Sequence, residues 1–133
     1  MKSILKIVGM AGVVLVLLSG CRTGTVYNSQ NNAIEVNKKV SDEQVYKAIK
    51  IAGINLGWKI KKVKPGLALA QLNIRNHMAK VEIPYTGKDY SIIYKDSINL
   101  KYDKEDGTIH NNYNGWIQNL EKAINMQIKL QSM

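Results

Sequence analysis

The chain has one cysteine, no phenylalanine, two prolines and two histidines in 133 residues, and each shortage excludes a class of structure or chemistry. A lone thiol closes no intramolecular disulfide and builds no cysteine-rich zinc cluster, so stability has to rest on an apolar core. Histidine-based catalysis would have to recruit His77 or His110 to a nucleophile and an orienting partner. Aromatic bulk must come from seven tyrosines and two tryptophans, whose polar tips need partners when buried. Acidic residues are also few, ten against nineteen lysines and arginines, a formal net charge of +9.

Long apolar runs are missing as well. Residues 7 to 20 carry no charge, but a helix over them would be about 21 Å long against a hydrocarbon core of roughly 30 Å. Behind the basic residues Lys2 and Lys6, such a run reads as an export signal. Its exit, Leu18-Ser19-Gly20-Cys21, resembles the lipobox of bacterial lipoproteins. That resemblance implies cleavage between Gly20 and Cys21, with residues 1–20 removed. Cys21 then becomes a lipidated N-terminus carrying a diacylglyceryl thioether and a further acyl chain of the palmitate type, an anchor that does not release. It also implies the cell envelope as location. Arg22 is not the Asp that signals retention in an inner membrane, so the periplasmic leaflet of an outer membrane is expected.

Without Lys2 and Lys6 the remainder has 17 basic and 10 acidic residues, a formal +7. Export argues against nucleic acid as the partner. Anionic envelope polymers, phospholipid headgroups or an acidic protein take its place.

Residues 21–39 are rich in Asn, Ser, Thr and Gly and read as a flexible tether, with little structure expected before Ile34. Ile34 and Val36 alternate as a short edge strand or a staple onto the core. Residues 40–133 form a single domain. Ser41 and Gln44 make a capping box, and Val45, Ala48, Ile49, Ala52 and Leu56 recur at helical spacing up to a stop at Gly57. From Trp58 the period changes to two. Trp58 and Ile60 share a face with Val63 out of phase, which predicts a bulge near Lys61-Lys62. Ala68, Ala70, Leu72 and Ile74 alternate, then Ala79, Val81, Ile83 and Tyr85, with a turn at Asn76-His77 and Pro84 at a strand end or edge. Residues 90–102 give one long strand or two short ones, with Ile98, Leu100 and Tyr102 in alternation. After the loop 103–107, Tyr113, Trp116, Ile117, Leu120, Ala123, Ile124 and Ile128 return to helical period, capped at Asn111 or Asn112, or alternatively at Asn114. The expected fold class is α+β: an antiparallel sheet of three to four strands with an N-terminal and a C-terminal helix packed on one face.

The segments "GWKI", "PG", "YSIIYKDSINLKY" and "HNNYNGWIQNLEKAI" together resemble a family of small, functionally uncharacterised bacterial lipoproteins with this order of elements. The resemblance covers most of residues 40–125 and implies no reaction, ligand or catalytic residue.

Chemistry-bearing motifs are sparse. His77 and His110 fall in expected turns. Asp103, Glu105, Asp106 and His110 lack the alternating ligands and terminal Glu of a calcium loop, so no metal and no cofactor is expected. No pair of carboxylates stands out, and no catalytic residue is assigned. The densest polar and aromatic cluster gives a candidate binding face of Tyr90, Tyr94, Asp96, Asn99 and Tyr102. Lys59, Lys61, Lys62 and Lys64 give a candidate basic patch, although edge strands also collect lysine to prevent pairing with other chains. The expected function is a membrane-anchored binding or accessory module for an envelope protein or polymer. The alternatives are a carrier of a small apolar ligand between the sheet and the C-terminal helix near Trp116, and a hydrolase built around one histidine.

Overall fold

The computed structural model describes residues 22–133. The export segment 1–20 and Cys21 lie outside the described residues. The elements run β1 (Thr23–Thr25), β2 (Ser29–Ala33), α1 (Asp42–Asn55), β3 (Lys59–Lys64), β4 (Leu67–Ile74), β5 (His77–Pro84), β6 (Asp89–Ile98), β7 (Thr108–His110) and α2 (Asn111–Gln131). The protein is α+β, with two helices, a five-stranded antiparallel sheet in the order β2-β6-β5-β4-β3, and a two-stranded sheet of β1 and β7. The expectation of three to four strands is therefore low.

Helix α1 forms where its sequence says it should. Ser41 accepts from the Gln44 amide at 3.1 Å while the Gln44 side chain accepts from the Ser41 amide at 2.9 Å, closing the capping box. Asp42 and Glu43 in the first turn complement the helix dipole. The stripe Val45, Ala48, Ile49 and Ala52 is buried, but Leu56 is the C-cap and 41% exposed. Gly57 ends the helix in the left-handed region at φ +89°.

In the sheet, the register partners Ala68 and Ile83, Ala70 and Val81, and Leu72 and Ala79 place one set of alternating residues inward. These residues join Ile49 of α1 and Tyr113, Ile117, Leu120 and Ile124 of α2 in one buried cluster. The alanines leave room for helices to approach; each large aliphatic buried there contributes about 1.5–3 kcal/mol. Lys59, Lys61, Gln71, Lys80 and Glu82 alternate onto the opposite, wetter face. The β3 bulge falls between Lys62 and Lys64, and Pro84 ends β5 as expected.

Four expectations are corrected. The segment before Ile34 holds β1 and β2, which pair with β7 and β6, while Ile34 and Val36 pack on the core as a staple. His77 opens β5 instead of lying in the turn, and Arg75 takes the left-handed turn position at φ +56°. The cap of α2 is His110, whose Nδ1 accepts from the Asn112 amide at 3.1 Å. Strand β6 ends at Ile98, so the alternation of Ile98, Leu100 and Tyr102 continues outside it, through left-handed Asn99 and Lys101.

The β5–β6 hairpin presses against the start of α1. The Gly87 amide donates to Asp42 Oδ1 at 2.7 Å, and a Cβ on Gly87 would stand 2.5 Å from the Val40 carbonyl oxygen. Gly87→Ala should therefore cost about 1–3 kcal/mol. Urea unfolding checks this, as a lower midpoint at unchanged slope.

Candidate functional site

The site lies where β6 runs out. Residues Tyr94, Lys95, Asp96, Ser97, Asn99, Leu100, Lys101, Tyr102 and Lys104 line an open cleft of about 620 Å³. The opposing β5 shifts register between Lys80 and Val81, so β6 is irregular where it enters the cleft. Asn99 and Lys101 then turn the chain at φ +59° and +55°. Left-handed backbone is tolerated by asparagine and uncommon for lysine, and strain of this kind collects at functional sites.

Around that turn the polar groups are tied down. The Asn99 side-chain amide donates to the Asn76 carbonyl at 2.7 Å, and His77 Nδ1 lies 2.8 Å from the Asn99 carbonyl. Asp96 accepts from the Ser97 amide at 2.8 Å. The rings of Tyr94 and Tyr102 stack at 4.2 Å with 24° between their planes, and Tyr94 meets the edge of buried Tyr113 at 5.7 Å. The Tyr94 hydroxyl is 2.7 Å from Ser97 Oγ, and burial raises its pKa above the usual tyrosine value. Tyr102 closes the outer side of the stack and is 39% exposed. Lysine supplies the charge, with Lys95 tied to Glu82 at 2.6 Å.

Of the expected binding face, Tyr94, Asp96, Asn99 and Tyr102 thus come together. Tyr90 does not belong with them. It is buried, and its hydroxyl donates to Asn125 Oδ1 at 2.6 Å and to the Glu121 carbonyl at 3.2 Å. Sequence reasoning missed Lys95, Lys101 and Lys104, which the loop geometry brings in.

The expected basic patch divides. Lys62 faces α1, with its Nζ 2.8 Å from Glu43 and 4.5 Å over the Tyr46 ring, and the bond to Glu43 raises its pKa. Lys59 and Lys61 lie on the opposite face, in register with Gln71 and Leu69, and Lys64 follows the bulge. On an edge strand, this placement suits lysine as a guard against pairing with other chains.

A second polar cluster was not foreseen. Glu121 of α2 accepts from the Tyr27 hydroxyl at 2.9 Å and from the Ser29 hydroxyl, and the Asn32 side-chain amide donates to Ser29 Oγ at 2.7 Å. The bond to Glu121 raises the pKa of Tyr27. The one available signal was that Glu121 is the sole acid in α2, beside Leu120 of its apolar stripe.

Neither histidine meets a nucleophile in these contacts: His77 holds the Asn99 loop and His110 caps α2. Asp103 accepts from the amides of Glu105 and Asp106, closing its own turn. Among the described residues no three His, Cys, Asp or Glu side chains group as metal ligands, and no helix is long and apolar enough to cross a membrane. Ile92, Ile117 and Leu120, between sheet and α2, are fully buried, and Trp116 lies partly buried against the core. Comparison of the chain with protein-family models, curated proteins and solved structures gives no match.

Proposed function

We propose that the chain is a membrane-anchored lipoprotein of the cell envelope, held through Cys21 in the periplasmic leaflet of the outer membrane. It acts there without catalysis, as a binding or accessory module for an envelope protein or polymer, and uses the cleft at the end of β6. The observation that carries this reading is the convergence of the stacked pair Tyr94 and Tyr102 with Asp96, Asn99 and three lysines in one open depression. Stacked rings give contact area at low conformational cost, and the lysines favour anionic groups. Anchoring raises the effective concentration at the membrane, so weak contacts suffice.

Placing a photoreactive side chain at position 102 in living cells tests the module. A defined adduct should form there, absent when the probe stands at Lys64, and should weaken in Lys101→Glu/Lys104→Glu at unchanged melting temperature. Equal adducts at positions 102 and 64 would refute the site. Cys21→Ala should move the protein out of the washed membrane fraction.

The carrier reading keeps one supporting observation. A separate opening of about 430 Å³ lies between residues 32–36 and α2, lined in part by Ile34, Val36 and Met126. Mass spectrometry of co-purified apolar molecules distinguishes it from the cleft reading.

A further inference from the structure

We propose that the cleft takes a phospholipid headgroup bearing both a phosphate and an ammonium, from the same membrane that holds the anchor. The inference rests on the lipid-anchor reading of Cys21. What carries it is the absence of a spacer between that residue and the folded domain. The Arg22 carbonyl already accepts from the Asn111 amide at 3.0 Å, and Thr23 pairs with His110 in the β1–β7 ribbon. A flexible tether over residues 21–39 was expected there; structure begins one residue after Cys21.

The same ribbon leads directly to the cleft. The His110 amide donates to the Leu100 carbonyl at 2.8 Å, so Thr23, His110 and Leu100 lie side by side. Two strand spacings are about 10 Å, and the two residues from Thr23 back to Cys21 reach at most about 7 Å. A lipid anchor attached immediately before Arg22 is therefore tethered within about 17 Å of the cleft wall. A glyceryl thioether fixes Cys21 at the headgroup layer, itself roughly 5–8 Å deep on each side of the bilayer. An anchor this short holds the cleft beside the headgroups.

The lining fits a zwitterion better than a simple anion. Lys101 and Lys104 offer point charges for a phosphate, while Asp96 and the exposed Tyr102 ring offer a carboxylate and an aromatic face to an ammonium. Glu105 and Asp106 are exposed on the adjoining turn, where they would repel a purely anionic surface. Tyrosine also favours the membrane interface, apolar at one end and wet at the other.

The test uses the full, cell-processed protein reconstituted in phosphatidylethanolamine vesicles that contain a trace of headgroup-linked quencher. A thiol-reactive fluorophore is placed at Glu105→Cys, beside the cleft, or at Lys88→Cys, about 30 Å away at the far end of β6. The expected result is quenching severalfold stronger at position 105 than at 88, with the difference lost in Lys101→Glu/Lys104→Glu. Equal quenching at both positions, or indifference to the charge reversal, overturns the headgroup proposal. Failure of the anchor reading shows separately: the parent protein, whose sole thiol is Cys21, then takes up fluorophore itself.

Discussion

Above pH 10 the two most deeply buried tyrosines, Tyr90 and Tyr113, should together cost the domain about 3 kcal/mol of folding stability per pH unit, and Tyr113→Phe should remove about half of that contribution. Tyr90 and Tyr113 are buried, and burial raises both pKa values well above the ordinary tyrosine value. In the unfolded chain both hydroxyls titrate near pH 10. Past that point the folded state still holds these two protons, which the unfolded state has released. Stability is therefore fully present below pH 10 and falls with rising pH until the raised folded pKa values are passed, at about 1.4 kcal/mol per unit for each tyrosine. The Tyr113 hydroxyl has no hydrogen-bond partner among the described residues. Its removal relieves the desolvation cost of an unpaired buried donor, so stability at pH 7 should hold or rise by about 1 kcal/mol. Tyr90→Phe differs, because it gives up the bonds to Asn125 and the Glu121 carbonyl, at about 1 kcal/mol already at neutral pH. Urea midpoints at pH 8, 10 and 11 measure all three proteins, and lysine deprotonation is common to them. Parallel slopes for wild type and Tyr113→Phe would show that buried phenol does not set the alkaline limit.

What the sequence announced and what it withheld follow from the range of the interactions involved. The capping box and stripe of α1 are local, and they appear where the spacing puts them. The inner faces of β4 and β5 are equally legible, since alternation against a buried core fixes which residues point inward. Strands β1 and β2 were not, because their sequences TGT and SQNNA are short and polar and are held by partners distant in the chain. A left-handed Asn31 and a register shift also break alternation in β2.

The same distinction explains the candidate site. Tyr90 and Tyr94 share a parity in β6, so alternation assigns them one face, but it does not say how far helix α2 covers that face. Tyr90 lies under the core, whereas Tyr94 reaches the margin and stacks on Tyr102. Lys101 and Lys104 enter through a turn at Asn99 and Lys101 that no glycine marks. Lys62 was legible in principle: alternation from Ile60 already turns it toward the helices, away from Lys59 and Lys61.

Glu121→Ala should release β2 while leaving β1 in place, at a cost of about 2–4 kcal/mol. One carboxylate oxygen receives the hydroxyls of Tyr27 and Ser29, and Ser29 is only 1% exposed. Hydrogen bonds to a charged acceptor contribute about 1.5–3 kcal/mol each, and a buried donor left without its acceptor bears the desolvation cost. The start of the arm is held independently. Asn114 accepts from the Tyr27 amide at 2.9 Å and donates to the Thr25 carbonyl at 2.8 Å. Loss of amide-exchange protection should therefore concentrate in Ser29–Ala33 and in its β6 partners around Tyr90 and Ile92. Glu121→Gln keeps an acceptor and should cost about half as much, while the Tyr27 pKa returns toward its ordinary value because the charged partner is gone. The effect should also reach the cleft, since Asn28, between the two tethered segments, accepts from the Tyr94 amide at 2.9 Å. Exchange in Glu121→Ala indistinguishable from wild type would mean that β2 is held by its ladder to β6 alone, with the carboxylate cluster a consequence of that pairing instead of its support.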